Sequence, residues 1–377
     1  MHMIQENLFE HAEKKMNARF RLGEMEEAAL IEQVAKNVIV DKLVPPRMMV
    51  FHPAHKCSAR LEVSYNAERI YSIHRHAFGQ LCSKVSFPMS YANSLLSSED
   101  WRLDLLAHNL NRLFHEPDWS DRSGPVRFLH RIVGDELRGF LSRRYARHMA
   151  SAPLLRAFID AYRHQGARAI GATTSDVRLQ LQCLLPKVFE AFPGENVCVG
   201  AAFSNSDFGA GRLAVKSTIW RVSSGASAVL DETFSKVHVG SIIDESELEL
   251  SASTAQKEVA AQCGLITDVV EQLLSEGVVD RLLQLLRVAH ETQIPWSKLK
   301  GRLSSVLSKG DLVWLQEAAD HGSGIVDLPP VSYTPDGQRT PNAYWAAAAL
   351  SAIAARSEDA DKRLDLQQEA GKLLACA

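Results

Sequence analysis

The period of the apolar residues changes twice along this chain. It is helical up to Phe114, alternates between Val126 and Val222, and is helical again from residue 255. Helix faces repeat about every 3.6 residues and strand faces every two, so no single element type serves both patterns. A strand-rich centre must therefore stand between two helical regions. Runs of strands followed by runs of helices imply an α+β fold rather than alternating α/β. We expect an N-terminal helical region over 1–43, an α+β core domain over 44–250 and a C-terminal helical region over 251–377. The core should hold a central antiparallel sheet with one inserted helix, and 377 residues suffice for it.

Within that frame, residues 5–38 read as helix, with Gly23 breaking it in two, and Val44-Pro45-Pro46-Arg47 as a linker or the start of a strand. Short strands are expected over 48–52 and 59–63, and helices over 73–84 and 101–114, where Leu103, Leu106, Leu110 and Leu113 form the buried stripe. Residues 126–142 predict a β-hairpin turning at Gly134-Asp135-Glu136. A helix over 152–165 precedes strands over 177–185, 196–204 and 212–222. Residues 255–290 and 342–374 read as helical, the latter interrupted near Ser357-Glu358-Asp359.

Between Arg122 and Arg178 stand eleven arginines, no lysine and four acids (Asp135, Glu136, Asp160, Asp176), in a chain of net charge −3. Arginine makes planar, bidentate contacts with phosphate, so a local excess points to a surface that meets an anion. Arg127, Arg131 and Arg138 fall on the expected hairpin; Arg143, Arg144 and Arg147 follow it, with Tyr145 between them. Guanidinium groups interleaved with a ring are the parts of a single-strand groove. The competing reading is a set of salt bridges to acids elsewhere in the chain. Lys216 and Arg221, beside Trp220, place cations on a further strand, and Lys236 precedes Val237-His238-Val239-Gly240. Trp220 reads as core or as a stacking platform, and Tyr145 as a buried ring or a base contact.

Leu141-Ser142-Arg143-Arg144-Tyr145, Ser204-Asn205-Ser206-Asp207-Phe208-Gly209 and Val237-His238-Val239-Gly240 occur in a fixed order. Gln80-Leu81 and Phe87-Pro88-Met89-Ser90-Tyr91 precede them; Thr340-Pro341-Asn342-Ala343-Tyr344-Trp345 and Glu369-Ala370-Gly371 follow. Over residues 75–373 this order resembles the phage/plasmid-like protein family, a domain of unknown function carried by phages, prophages and plasmids. The resemblance implies a mobile-element setting and transfers no chemistry. Where members of that family often carry Cys-x-Asn-Gly, this chain has Val222-Ser223-Ser224-Gly225, so no role of that cysteine or asparagine carries over.

Ser204 to Gly211 reads as a shaped turn: no Walker lysine follows and no third glycine opens a helix, so it is neither a P-loop nor a dinucleotide fingerprint. No His-x-x-x-His pair, CxxC pair or nucleophile elbow is present, and the six cysteines read as reduced thiols of a cytoplasmic protein. No apolar run of membrane-spanning length and no secretory leader is read. The function expected is binding of nucleic acid, single-stranded DNA above all, for strand annealing or recombination in a mobile element. No cofactor and no metal is expected, and copies are expected to form a homo-oligomer. The alternatives are a metal-dependent nuclease or hydrolase, and a protein-binding module acting on a host defence or replication factor.

Overall fold

The structure is a computed structural model that describes residues 2–54, 60–65, 69–96, 99–121, 124–143, 145, 150–236, 251–321, 328, 332–333 and 339–375. The chain opens with α1 (His2–Lys36), one unbroken helix. Gly23 does not interrupt it. A Cβ there would stand 2.4 Å from the Ala169 carbonyl oxygen, so the glycine serves close approach of the helix to a strand.

Strands β1 (Ile39–Val44), β2 (Met49–Pro53), β3 (Leu61–Tyr65) and β4 (Ile70–Ile73) follow, then α2 (Arg75–Lys84), α3 (Met89–Leu95) and α4 (Asp100–His115). A small ribbon of β5 (Ser120–Asp121) and β6 (Gly124–Pro125) leads into the expected hairpin, β7 (Phe128–Val133) and β8 (Glu136–Ser142). Gly134 takes φ 61° in its turn, the left-handed backbone such a tight connection needs. These strands form a six-stranded sheet in the order β1-β7-β8-β4-β3-β2. Its β4–β8 pair is parallel, so the sheet is mixed. Phe51, Phe128 and Phe140 on the sheet meet Leu81, Leu106, Leu110 and Phe114 of α2 and α4 in one core.

Helix α5 (Ser151–His164) then introduces a second sheet of β9 (Arg168–Thr174), β10 (Leu179–Leu184), β11 (Phe189–Phe192), β12 (Glu195–Asn205), β13 (Leu213–Arg221) and β14 (Ser227–Lys236). It is antiparallel, ordered β14-β13-β12-β10-β9, with β11 paired to β12. The single central sheet expected from the alternation is therefore two principal sheets. The hairpin lies in the first, and the strands carrying Lys216 and Arg221 in the second.

The C-terminal part supplies α6 (Ala252–Leu273), α7 (Glu276–Glu291), α8 (Trp296–Leu303), α9 (Lys309–His321), a ribbon of β15 (Ser332–Tyr333) and β16 (Arg339–Thr340), and α10 (Ala343–Arg356) and α11 (Ala360–Ala375). One continuous core joins Leu30 of α1, helices α5 to α11 and the odd-numbered face of β13. The even-numbered face meets α1 instead: Trp220 and Val222 pack on Ala12, Met16 and Phe20, so Trp220 is a core residue. Helix α11 crosses the same sheet, with Gln367 accepting from Gln182 at 2.9 Å. The terminal helices are thus coverings of the second sheet.

Candidate functional site

The segment Asn205 to Gly211 fastens the two sheets together. Ser206 Oγ accepts from the backbone N–H groups of Phe208 (3.2 Å) and Ala210 (2.8 Å) and donates to the Val177 carbonyl (2.7 Å). That folds the loop tightly and turns its own carbonyls outward, where the first sheet and its helix supply the donors. Tyr145 Oη donates to Ser206 O (2.8 Å), Arg131 Nη1 to Asp207 O (2.6 Å), and Gln80 Nε2 to Phe208 O (2.9 Å). Gln80 also accepts from Phe140 N at 2.8 Å, tying α2, β8 and the loop into one node. Gly209 takes φ 76°, and a Cβ on it would lie 2.6 Å from Leu141 Cδ2. Asp207 Oδ1 accepts from Ser151 N at 2.9 Å, and burial pushes this carboxyl upward. His76 Nε2 lies 3.0 Å from Phe208 O; a carbonyl only accepts, so Nε2 carries the proton and Nδ1 is left as an acceptor. Burial pushes the His76 imidazole down, which keeps it neutral at pH 7.

This geometry reassigns several expected anion contacts. Arg131 is 2% exposed. Its Nε lies 3.1 Å from Asp41 of β1, and its guanidinium stands 5.1 Å from the Tyr145 ring. Tyr145 is buried with Leu129 and Leu141, and burial pushes its hydroxyl upward. Arg221 is 5% exposed, bonded to both oxygens of Glu195 at 2.9 Å and 3.1 Å from Tyr344 Oη. Arg138 donates to Glu136 at 2.8 Å. Arg131 and Arg221 face the interior because acids from other strands meet them there, and Arg138 is met by an acid of its own strand. Helix α1 does the same for Arg163 through Glu27 and for Arg168 through Glu24 (2.8 Å). Lys216 is 9% exposed, Arg143 is half-buried and Arg127 is exposed. Arg144, Arg147, the Lys236 side chain and Val237-His238-Val239-Gly240 lie outside the described residues.

What the structure does bring together is a groove of three adjoining clefts along the seam. The first, of about 510 Å³, includes Arg60, Asn93, Glu136 and Asp176. It shares His74 and Arg75 with the second, of about 870 Å³, which reaches Lys84 and Asp361. That one shares Arg178, Ala210 and Gly211 with the third, of about 400 Å³, which reaches Arg212, Lys216 and Lys372. Arg178 is held by Asp361 (2.7 Å) and Asp365 (2.9 Å) of α11. Its pKa is raised: burial works against the charge, and the hydrogen bonds to the two carboxylates outweigh it. Arg60, Arg75, Lys84 and Arg212 are exposed and make no ion pair among the described residues.

Sequence reasoning passed over Arg60, Arg75, Lys84, Arg212 and Lys372. Only Arg212, one residue beyond Gly211, carried a signal: it flanks the loop motif across from Arg178. Among the described residues no cluster of His, Cys, Asp and Glu is placed to hold a metal ion, and no helix is long and apolar enough to cross a membrane. Burial pushes the Cys183 and Cys198 thiols up to about 12, as befits unreactive core cysteines. No family model, curated protein or solved structure matches the chain.

Proposed function

We propose that this protein binds nucleic acid along the groove, single-stranded DNA in particular, in the service of strand annealing or recombination for a phage or other mobile element. The observation that carries the proposal is the continuity of the three clefts, with Arg60, Arg75, Lys84 and Arg212 open along them. Exposed cations on a concave path neutralise successive phosphates and release counterions. The contacts are to the strand's backbone, so binding is indifferent to sequence. The mobile-element setting rests on the order of the motifs alone. The test is oligonucleotide anisotropy with single and double strands. Affinity should fall steeply between about 50 and 200 mM salt. Arg75→Gln with Arg212→Gln should weaken all sequences alike. A flat salt response in the wild type sinks the proposal.

Copies of the chain associate, and β1 is the surface that supports this part of the proposal. It is an edge of the first sheet. Its charged residues turn to internal partners, Asp41 to Arg131 and Lys42 to Tyr71 Oη at 2.9 Å. Val38 and Val40 are left 71% and 47% exposed. An open edge with outward apolar side chains invites pairing with another strand. Light scattering should find an oligomer that Val40→Lys dissociates; a wild-type monomer at high concentration refutes it.

A further inference from the structure

The two faces of α1 are built differently. On one, Ala12, Met16 and Phe20 pack with Trp220 and Val222, Leu30 joins the larger core, and Glu27 reaches Tyr162 and Arg163. The opposite face carries a stripe of Lys15, Ala18, Leu22, Met25, Ala29 and Glu32. Their spacing alternates between three and four residues, which keeps a stripe on one side of a helix. All six are exposed, Leu22 by 45% and Met25 by 70%. Packing on the second sheet therefore does not account for the apolar residues of this stripe.

The stripe complements its own reverse. If a second α1 is laid antiparallel with the partner's Met25 on Leu22, the partner's Ala29 falls on Ala18 and the partner's Glu32 on Lys15. The alanines let the helix axes approach closely on both sides of the Leu22–Met25 centre. The charges of the helix follow the same symmetry. Lys14, Lys15, Arg19 and Arg21 have no acid among them, and Glu24, Glu26, Glu27 and Glu32 have no base among them. A parallel pair would set Lys15 on Lys15 and Glu32 on Glu32, so the charges select the antiparallel one. Lys15 also donates to the Ser223 carbonyl at 3.1 Å, and Glu32 accepts from Lys36 at 2.5 Å. An ammonium has three donors and a carboxylate two acceptor oxygens, so both can take a second partner.

We infer that this face of α1 is the seat of a second copy of the chain, paired antiparallel about a twofold axis between Leu22 and Met25. A twofold interface needs one patch that complements itself, and the reversed stripe supplies it. This surface is separate from the β1 edge, and the inference rests neither on that edge nor on the groove function.

The test is sedimentation of the full-length protein over a range of concentrations. Val40→Lys removes the β1 pairing, so that variant should stop at a dimer held by α1. Adding Leu22→Glu and Met25→Glu should leave a monomer with an unchanged melting temperature, since both side chains are exposed. In the same Val40→Lys background, Lys15→Glu should weaken the dimer by about tenfold, because it sets like charges opposite each other twice. Glu32→Lys added to it should restore the dimer, which a mere loss of the Ser223 contact would not allow. A wild type and a Val40→Lys protein that are the same dimer, broken by Leu22→Glu/Met25→Glu, support the α1 pairing and remove β1. A Val40→Lys protein that is monomeric at high concentration overturns the α1 pairing. A dimer that survives Leu22→Glu/Met25→Glu does so too. A Lys15→Glu/Glu32→Lys dimer no tighter than that of Lys15→Glu overturns the antiparallel register.

Discussion

The strand interiors and the groove wall use arginine in opposite ways. On β7 and β13, Arg131 and Arg221 are 2% and 5% exposed and locked to Asp41 and Glu195. Along the groove, Arg75 and Arg212 are exposed and make no ion pair among the described residues. Of the eight described arginines between Arg122 and Arg178, six (Arg131, Arg138, Arg156, Arg163, Arg168 and Arg178) pair with acids, while Arg60, Arg75 and Arg212 of the groove lie outside that stretch. Local charge excess tells where anions are needed. It does not tell whether the fold brings them or a ligand must.

The sharpest way to break this contrast is Arg221→Ala. It strands the Glu195 carboxylate, 6% exposed, without its partner. Losing one half of a buried ion pair costs about 3–5 kcal/mol. Urea denaturation should show that loss, while the folded fraction binds oligonucleotide normally. Arg221→Met with Glu195→Gln should recover much of it, because no bare charge remains inside. An Arg221→Ala protein that unfolds like the wild type but fails to bind would return Arg221 to the surface cations.

The first sheet also buries a histidine whose Nδ1 meets a tyrosine hydroxyl rather than a carboxylate, which gives a pH test of the interior. His130 is fully buried, with Nδ1 2.5 Å from Tyr65 Oη. Burial pushes its imidazole down to about 3 from 6.5, and Lys42 adds to the effect. Between those values the unfolded chain takes up a proton that the folded chain does not. Stability from this group is thus intact above pH 6.5 and falls as pH drops towards 3. The slope is at most about 1.4 kcal/mol per pH unit. His130→Gln should flatten the acid limb of a plot of unfolding free energy against pH. An unchanged limb would mean that other groups set it.

The sequence made the elements legible where one period ran long enough. The 126–142 hairpin, the helices over 255–290 and the pause at Ser357-Glu358-Asp359 all stand where alternation and breakers put them. It hid β1, β4, β9 and β11, which are short or carry polar residues whose burial depends on partners far along the chain. Asp41 and Lys42 on β1 read as solvent-facing until Arg131 and Tyr71 are seen beside them. The groove was hidden for the same reason. Its walls come from α2, the Asn205–Gly211 loop and α11, which converge only once Tyr145, Arg131 and Gln80 have clamped that loop.

The smallest expected effect on stability is also the cleanest separation of the two regions. Arg138 lies on the hairpin and pairs with Glu136, two residues away, both partly solvent-exposed (18% and 27%). Such a pair is worth about 0–1 kcal/mol, since water and salt screen it and two long side chains must be held still. Arg138→Ala should therefore shift the urea midpoint slightly and leave oligonucleotide affinity alone. Arg212→Ala removes an exposed side chain with no ion pair among the described residues, so its midpoint should not move. Its affinity should fall for every sequence, and the slope of log affinity against log salt should shrink by about 0.7, the value for one lost contact to a single strand. Measuring both quantities on both variants gives a crossed pattern. If Arg138→Ala loses affinity and Arg212→Ala keeps it, the nucleic acid runs over the hairpin, and the groove is not its path.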